Sequence, residues 1–155
     1  GDHAGGLLYS TLIKFGWARG HYDARADDDL ALINCRVTNA VRCVPPQNKP
    51  TGPEVNTCKP FLADEITAMR RLEVILALGG LAHGAVVVAL GHRKSAWKFG
   101  HNRRHDIPSL PILFNSYHCS RYNTNTGRLP PRMFEDVFSA IQAHFNSELC
   151  RTTGF

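Results

Sequence analysis

Apolar positions along the chain recur at two periods, and polar, glycine-rich and proline-rich steps separate them. Within residues 5–17, Leu7, Leu8, Leu12, Ile13 and Phe15 stand at helical spacing, which predicts a helix of about 10 residues. Residues 18–29 are polar and loop-like. Residues 30–37 (LALINCRV) form an apolar run that reads as a buried strand and stops at the polar step Thr38-Asn39. Pro53 and Glu54 suit a helix start, so a helix is predicted from about Pro53 to Arg70. Residues 72–78 (LEVILAL) read as a second buried strand that breaks at Gly79-Gly80, and a small-residue helix follows to about Leu90. Residues 92–110 read as a long basic loop, residues 111–114 as a short strand, and residues 116–128 as a polar loop. Residues 129–145 close the chain as a helix with Met133, Phe134, Val137, Phe138 and Ile141 on one face.

Strands alternating with helices predict an α/β fold whose parallel sheet is covered on both faces. Ligands of such sheets bind outside the carboxyl ends of the strands, which puts residues 39–48, the Gly79 turn and residues 116–128 on one rim. With 155 residues, no internal repeat and no linker, one domain is expected. The chain is 43% hydrophobic and 20% charged, which is globular rather than disordered. A net charge of +5, with arginine outnumbering lysine, leans toward a polyanionic partner, although many basic proteins bind no nucleic acid. No apolar run approaches the roughly 20 residues of a membrane span, and no signal peptide is visible. Five cysteines, an odd number without the spacing of a secreted disulfide scaffold, point to a reducing, cytoplasmic setting. A monomer is expected. The opening GDHAGG has no initiator Met and reads as loop, so an N-terminal portion is expected to precede it.

The densest candidate chemistry lies in residues 33–60. Cys43 and Cys58, with fourteen residues between them, could ligate a metal beside the stiff Pro45-Pro46 turn. Two thiolates do not close a site that normally takes four ligands, so the pair alone fits ordinary buried cysteines better. The LALGGLAHG turn invites a dinucleotide-fingerprint reading, but Leu81 stands where that motif needs glycine. A tight strand-to-helix turn, with His83 packed or at the surface, fits better. In GHRKSAWKFGHNRRH, Trp97 and Phe99 interleave with Arg93, Lys94, Lys98, Arg103 and Arg104. That suits backbone contacts and base stacking on nucleic acid as well as it suits a solvated charged face. His118 follows a short strand and is flanked by Tyr117 and Ser120, with Asn123, Asn125 and Arg128 beyond. Catalysis and structure fit it about equally.

TNAVRCVPPQNKPT, LALG, HRKSAW and SYHCSRYNTNTGRL, in that order, resemble family 5 (type b) uracil-DNA glycosylases over essentially the whole chain. The resemblance implies a three-layer α/β/α fold with a central, mostly parallel four-stranded sheet. It also implies a monofunctional enzyme that hydrolyses the N-glycosidic bond of uracil, with other deaminated bases as further candidates, in double- or single-stranded DNA. Cys43 and Cys58 match the third and fourth ligands of a 4Fe–4S cluster. The first Cys pair and the first catalytic motif match nothing in this sequence. Asp2 matches an acidic residue that helps position the hydrolytic water, Asn48 an active-site asparagine, and His118 the histidine facing the extruded base. Asn39 matches the uracil-reading asparagine of the related family 4. The resemblance further implies DNA contacts by Arg93, Lys94, Ser95, Arg121, Asn123 and Arg128. Two other classes stay open: a non-catalytic DNA-damage-binding module on the same fold, and a small-molecule α/β enzyme with nucleotide-like ligands.

Overall fold

The structure, a computed structural model, describes residues 3–40 and 52–153, and for residues 3, 52, 54–56, 58, 152 and 153 the backbone alone. Two compact units emerge: residues 1–37 with 117–155, and residues 38–116.

The first unit is built on α1 (His3–Lys14) and α5 (Pro131–Thr153). Helix α1 begins at His3, inside the opening read as loop, and stops at Lys14, before Phe15, for physical reasons. Gly16 takes φ 79°, its N–H donates to Ile13 O, and Trp17 N–H donates to Leu12 O at 2.8 Å. That pair of bonds satisfies the last carbonyls of the helix and requires a residue at ease in the left-handed region. The chain then turns into a two-residue antiparallel ribbon, β1 (Ala18–Arg19) with β2 (Ala31–Leu32). Along α5, Phe134, Val137, Phe138 and Ile141 are all at most 3% exposed, so the predicted apolar face is the buried one. Phe138 stacks against Phe15, Trp17 and Phe134 at centroid distances of 5.6, 5.5 and 5.1 Å.

The strand expected over residues 30–37 is a correction. Only Ala31–Leu32 pairs, and it pairs antiparallel. Asn34 sits at φ 50°, which breaks an extended run, and the segment instead wraps the Trp17 carbonyl, taking bonds from Ile33 N–H and Cys35 Sγ. Leu32, Ile33 and Val37 are left exposed rather than buried.

The second unit holds α2 (Gly52–Ala68), β3 (Val74–Leu78), α3 (Gly80–Ala89), β4 (Arg104–His105) and β5 (Ile112–Ser116). Its sheet has the order β3-β5-β4, with β3 and β5 parallel and β4 antiparallel to β5. Among the described residues the sheet therefore has three strands rather than the expected four. The antiparallel strand comes from the segment read as a loop. Asn102, at φ 53°, turns the chain so that Asn102 N–H donates to Asn115 O and Asn115 N–H to Arg103 O. The register Ile75–Leu113 and Ala77–Asn115 sets Leu113 and Ala77 on one face, where they join Leu62, Ala85, Val86 and Val87 of the helices in a single core.

Candidate nucleic-acid interface and active-site loop

In the first unit, the segment after β5 carries the candidate active-site residues. Ser120 caps α4 (Arg121–Asn125): its side chain accepts from Asn123 N–H and its carbonyl from Thr124 N–H. Asn123 Nδ2 donates to the His118 carbonyl at 2.8 Å, and Asn123 O accepts from Leu129 N–H at 2.9 Å. Asn123 thus ties the His118 backbone to the fully buried Leu129 through its side-chain amide and its own carbonyl, while the His118 side chain itself is exposed. The exposed Arg128 guanidinium lies 4.6 Å from the ring centroid of Tyr117, the residue preceding His118, a cation–π contact. His118, Arg121, Asn123 and Arg128 therefore share one short, capped segment.

Reading the sequence missed Tyr122. It is 71% exposed on α4, an unusual setting for a tyrosine seven residues before the anchored Leu129. The signal available was the single aromatic in the otherwise polar run SRYNTNTG.

In the second unit, Arg93, Lys94 and Ser95 enter a 3₁₀ turn, Lys94–Ala96, with all three exposed. The Lys94 stem crosses Gly84, where a Cβ would come within 3.0 Å of Cε, so this lysine is laid along the helix by the absence of a side chain. Together with Lys59 it borders a shallow cleft whose apolar lining includes Ala40, Leu62, Ala85 and Val88. Asn39 is exposed in the same unit, and its neighbour Thr38 donates to Glu65 Oε2 on α2 at 3.0 Å.

Trp97 and Phe99 do not stand out as stacking platforms, which corrects the expectation for the basic segment. Both are half-buried. Trp97 packs edge-on against His92 and His105, and Phe99 packs against His83. The reason is His83 itself, 3% exposed on α3, whose Nε2 bonds the Trp97 carbonyl and whose Nδ1 bonds the Asn115 amide at 2.9 Å. The Gly79 turn delivers it: Gly79, at φ 94°, donates to Ser116 O and accepts from His83 N–H.

His105 is 8% exposed, and burial, reinforced by the charges of His83 and Arg103, holds its imidazole below the ordinary histidine range. A lowered folded-state value means the unfolded chain binds the proton more readily. The neutral ring's contribution is complete above about pH 6.5 and fades as pH falls below it. Urea midpoints should accordingly drop on acidification, and drop less in His105→Gln. An equal drop in both would place the acid sensitivity elsewhere.

Three expected site residues, Asp2, Asn48 and Cys43, lie outside the described residues. Cys58 is on α2, with only its backbone described. Among the described residues no group of three or more His, Cys, Asp or Glu side chains could hold a metal, and no helix is long and apolar enough to cross a membrane.

The fold and these loops define an α/β protein with a basic, histidine-bearing surface. The profile of the Uracil DNA glycosylase superfamily matches residues 1–142, and the chain belongs to that superfamily. It is 39% identical over 137 residues to the type-5 uracil-DNA glycosylase of Thermus thermophilus, covering 88% of this chain and 62% of that protein. The type-5 enzyme of Pyrobaculum aerophilum is 35% identical over 144 residues, 92% of this chain and 62% of its own length. That of Mycobacterium tuberculosis is 35% identical over 140 residues, 89% and 52% respectively. The chain thus spans between half and two thirds of the length of each of these three relatives.

Proposed function

We propose that the chain carries most of a single glycosylase domain that hydrolyses the N-glycosidic bond of uracil in DNA and leaves an abasic site. The observation carrying this reading is the exposed His118 on its capped segment, in a chain whose superfamily match runs continuously from residue 1 to 142. A base inside a duplex hides its sugar carbon, so the nucleotide must leave the stack at a cost of a few kcal/mol, less at a mismatch. The exposed Tyr122 ring supports a role filling or propping the gap, as apolar wedges do. Arg93, Lys94, Ser95, Arg121, Asn123 and Arg128 would contact phosphates, which makes binding salt-dependent, and each cation removed should lower the log–log salt slope by about 1.

Bond cleavage leaves positive charge on the sugar and negative charge on the departing base. His118, donating to a base carbonyl, would stabilise that anion, while Asp2 and Asn48 would orient water and offset the oxocarbenium-like charge. The Asn39 amide can accept from uracil N3–H and donate to O4, a pattern that cytosine reverses. Unpaired buried groups cost about 1–3 kcal/mol each, so Asn39→Ala should lower the ratio of uracil to cytosine excision about 5- to 150-fold. An unchanged ratio would remove Asn39 from base reading.

A 4Fe–4S cluster would take Cys43 and Cys58 as two of four thiolates, a donor set that is half complete. The other cysteines are engaged differently: Cys119 is buried, Cys150 is exposed on α5, and the Cys35 thiol, raised by burial, donates to Trp17 O. Residues of this chain alone do not fit the cluster, and no chemical step depends on it. Incubating the chain with a uracil-containing oligonucleotide, followed by alkali and a gel, tests the main reading. Alkali-labile scission at the uracil is the expected result. Binding without scission would favour the non-catalytic damage-binding module instead, and no affinity for DNA at low salt would favour a small-molecule α/β enzyme with nucleotide-like ligands.

A further inference from the structure

The packing around His83 leaves three buried polar atoms without a partner among the described residues: Trp97 Nε1, His105 Nε2 and Asn115 Nδ2. They belong to one neighbourhood. His105 pairs with Leu113 across β4 and β5, so the His105, Leu113 and Asn115 side chains leave the sheet on the same face, the one α3 covers. On that face the His105 ring lies 5.4 Å from the His83 ring and 5.7 Å from the Trp97 ring, and Asn115 bonds His83. Asn115 is fully buried and His105 nearly so. Unpartnered polar atoms in such a setting cost about 1–3 kcal/mol each, which three clustered residues would not sustain together without a shared partner.

The hydrogen-bond roles narrow what that partner is. His105 donates a ring N–H to the Lys98 backbone carbonyl, and since Nε2 has no partner, Nδ1 carries that proton and Nε2 is an acceptor. Trp97 Nε1 can only donate. The Trp97 carbonyl accepts from His83 Nε2, so a neutral His83 turns the Asn115 amide to give it Nδ2–H and presents Oδ1 to the cluster. A charged His83 reverses the amide and presents Nδ2. A ligand here must accept from Trp97, donate to His105, and do either toward Asn115. A carboxylate or phosphate cannot donate, and a cation cannot accept. Water meets every requirement with three hydrogen bonds, the usual number for an internal water.

We propose that Asn115, His105 and Trp97 bind one structural water, which fastens the basic segment 93–105 to the sheet. This holds whatever the chain does to DNA, because each atom involved lies within the second unit. Protonating His105 would turn its acceptor into a donor, and where Asn115 presents Nδ2 that leaves three donors against the two lone pairs of the water. The charges facing His105 are Arg103 and Asp106 beside it in sequence and His83 from α3, and Asp106 is already clamped by Arg104 at 2.6–3.0 Å. The nearest carboxylate is therefore committed elsewhere when the proton arrives.

Nuclear Overhauser transfer from long-lived water to the Trp97 indole N–H tests the site on the intact chain, with Trp97→Phe identifying the signal. At neutral pH the transfer should be present, should survive in His105→Gln, whose amide oxygen still accepts, and should vanish in His105→Phe. A Trp97 indole that sees no long-lived water overturns the proposal, as does one coupled directly to His105 Nε2. Should His105→Phe fail to fold, the unmodified chain decides. At neutral pH its His105 Nε2 should show the nitrogen chemical shift of an unprotonated ring nitrogen that accepts a hydrogen bond, and the shift of an unbonded acceptor overturns the site.

Discussion

Cutting Phe138 back to alanine is expected to remove about 3–5 kcal/mol of folding free energy, the largest stability effect of any single side chain in the first unit. The ring is 1% exposed and meets Phe15, Trp17 and Phe134 within 5.6 Å, so deletion empties the point where α1, the ribbon and α5 converge. Aromatic pairs contribute about 0.5–1.5 kcal/mol beyond area burial, which puts this site toward the upper end. Domains of this size hold about 5–15 kcal/mol in all, so a marginal chain would be partly unfolded at room temperature. Urea titration followed by far-ultraviolet circular dichroism measures it. Phe138→Leu, which refills most of the volume, should cost less than half as much. The exposed Lys14–Glu135 pair, at 2.6 Å, offers the contrast: breaking it should change stability by about 1 kcal/mol or less. A Phe138→Ala loss as small as that would mean the first unit is not held together by this cluster.

What the sequence made legible follows from how each signal is encoded. The apolar face of α5 repeats four times at helical spacing, and the turn at Gly79 is enforced by a backbone that only glycine adopts at ease. Both could be read from residues alone. Residues 30–37 have strand composition, but their structure is decided by Asn34 entering the left-handed region and by the Trp17 carbonyl, neither of which leaves a periodic trace. The strand β4 is two residues long and exists through pairing with β5, so a basic run gave no sign of it. Trp97 and Phe99 looked like stacking platforms because alternating cations and aromatics read the same whether the rings point out or in. His83 decides the matter, and its burial depends on a contact thirty-two residues away in Asn115. Tyr122 escaped for the opposite reason, since exposure of one aromatic has no pattern. Asp2, Asn48 and Cys43 came from resemblance alone and lie outside the described residues, so their roles stand with the proposed function.

Replacing His118 with alanine is expected to slow uracil release about 100- to 1,000-fold, because a preorganised donor aimed at developing charge is typically worth about 3–4 kcal/mol. The side chain is exposed and its backbone is fixed, through Asn123 Nδ2 and Asn123 O, to the buried Leu129. That arrangement leaves the imidazole accessible while limiting the entropy lost when it meets a base. Truncation should therefore act on the chemical step and spare the DNA affinity that the proposed function assigns to Arg93, Lys94, Arg121 and Arg128. Single-turnover excision separates the two, with binding of an uncleavable oligonucleotide as the control. His118→Gln should recover part of the rate, since an amide N–H still donates, whereas Asn123→Ala, which releases the backbone tether but leaves the ring in place, should cost about 10-fold. A His118→Ala chain that excises uracil at close to the original rate would take the histidine out of the reaction and shift the catalytic burden to Asp2 and Asn48.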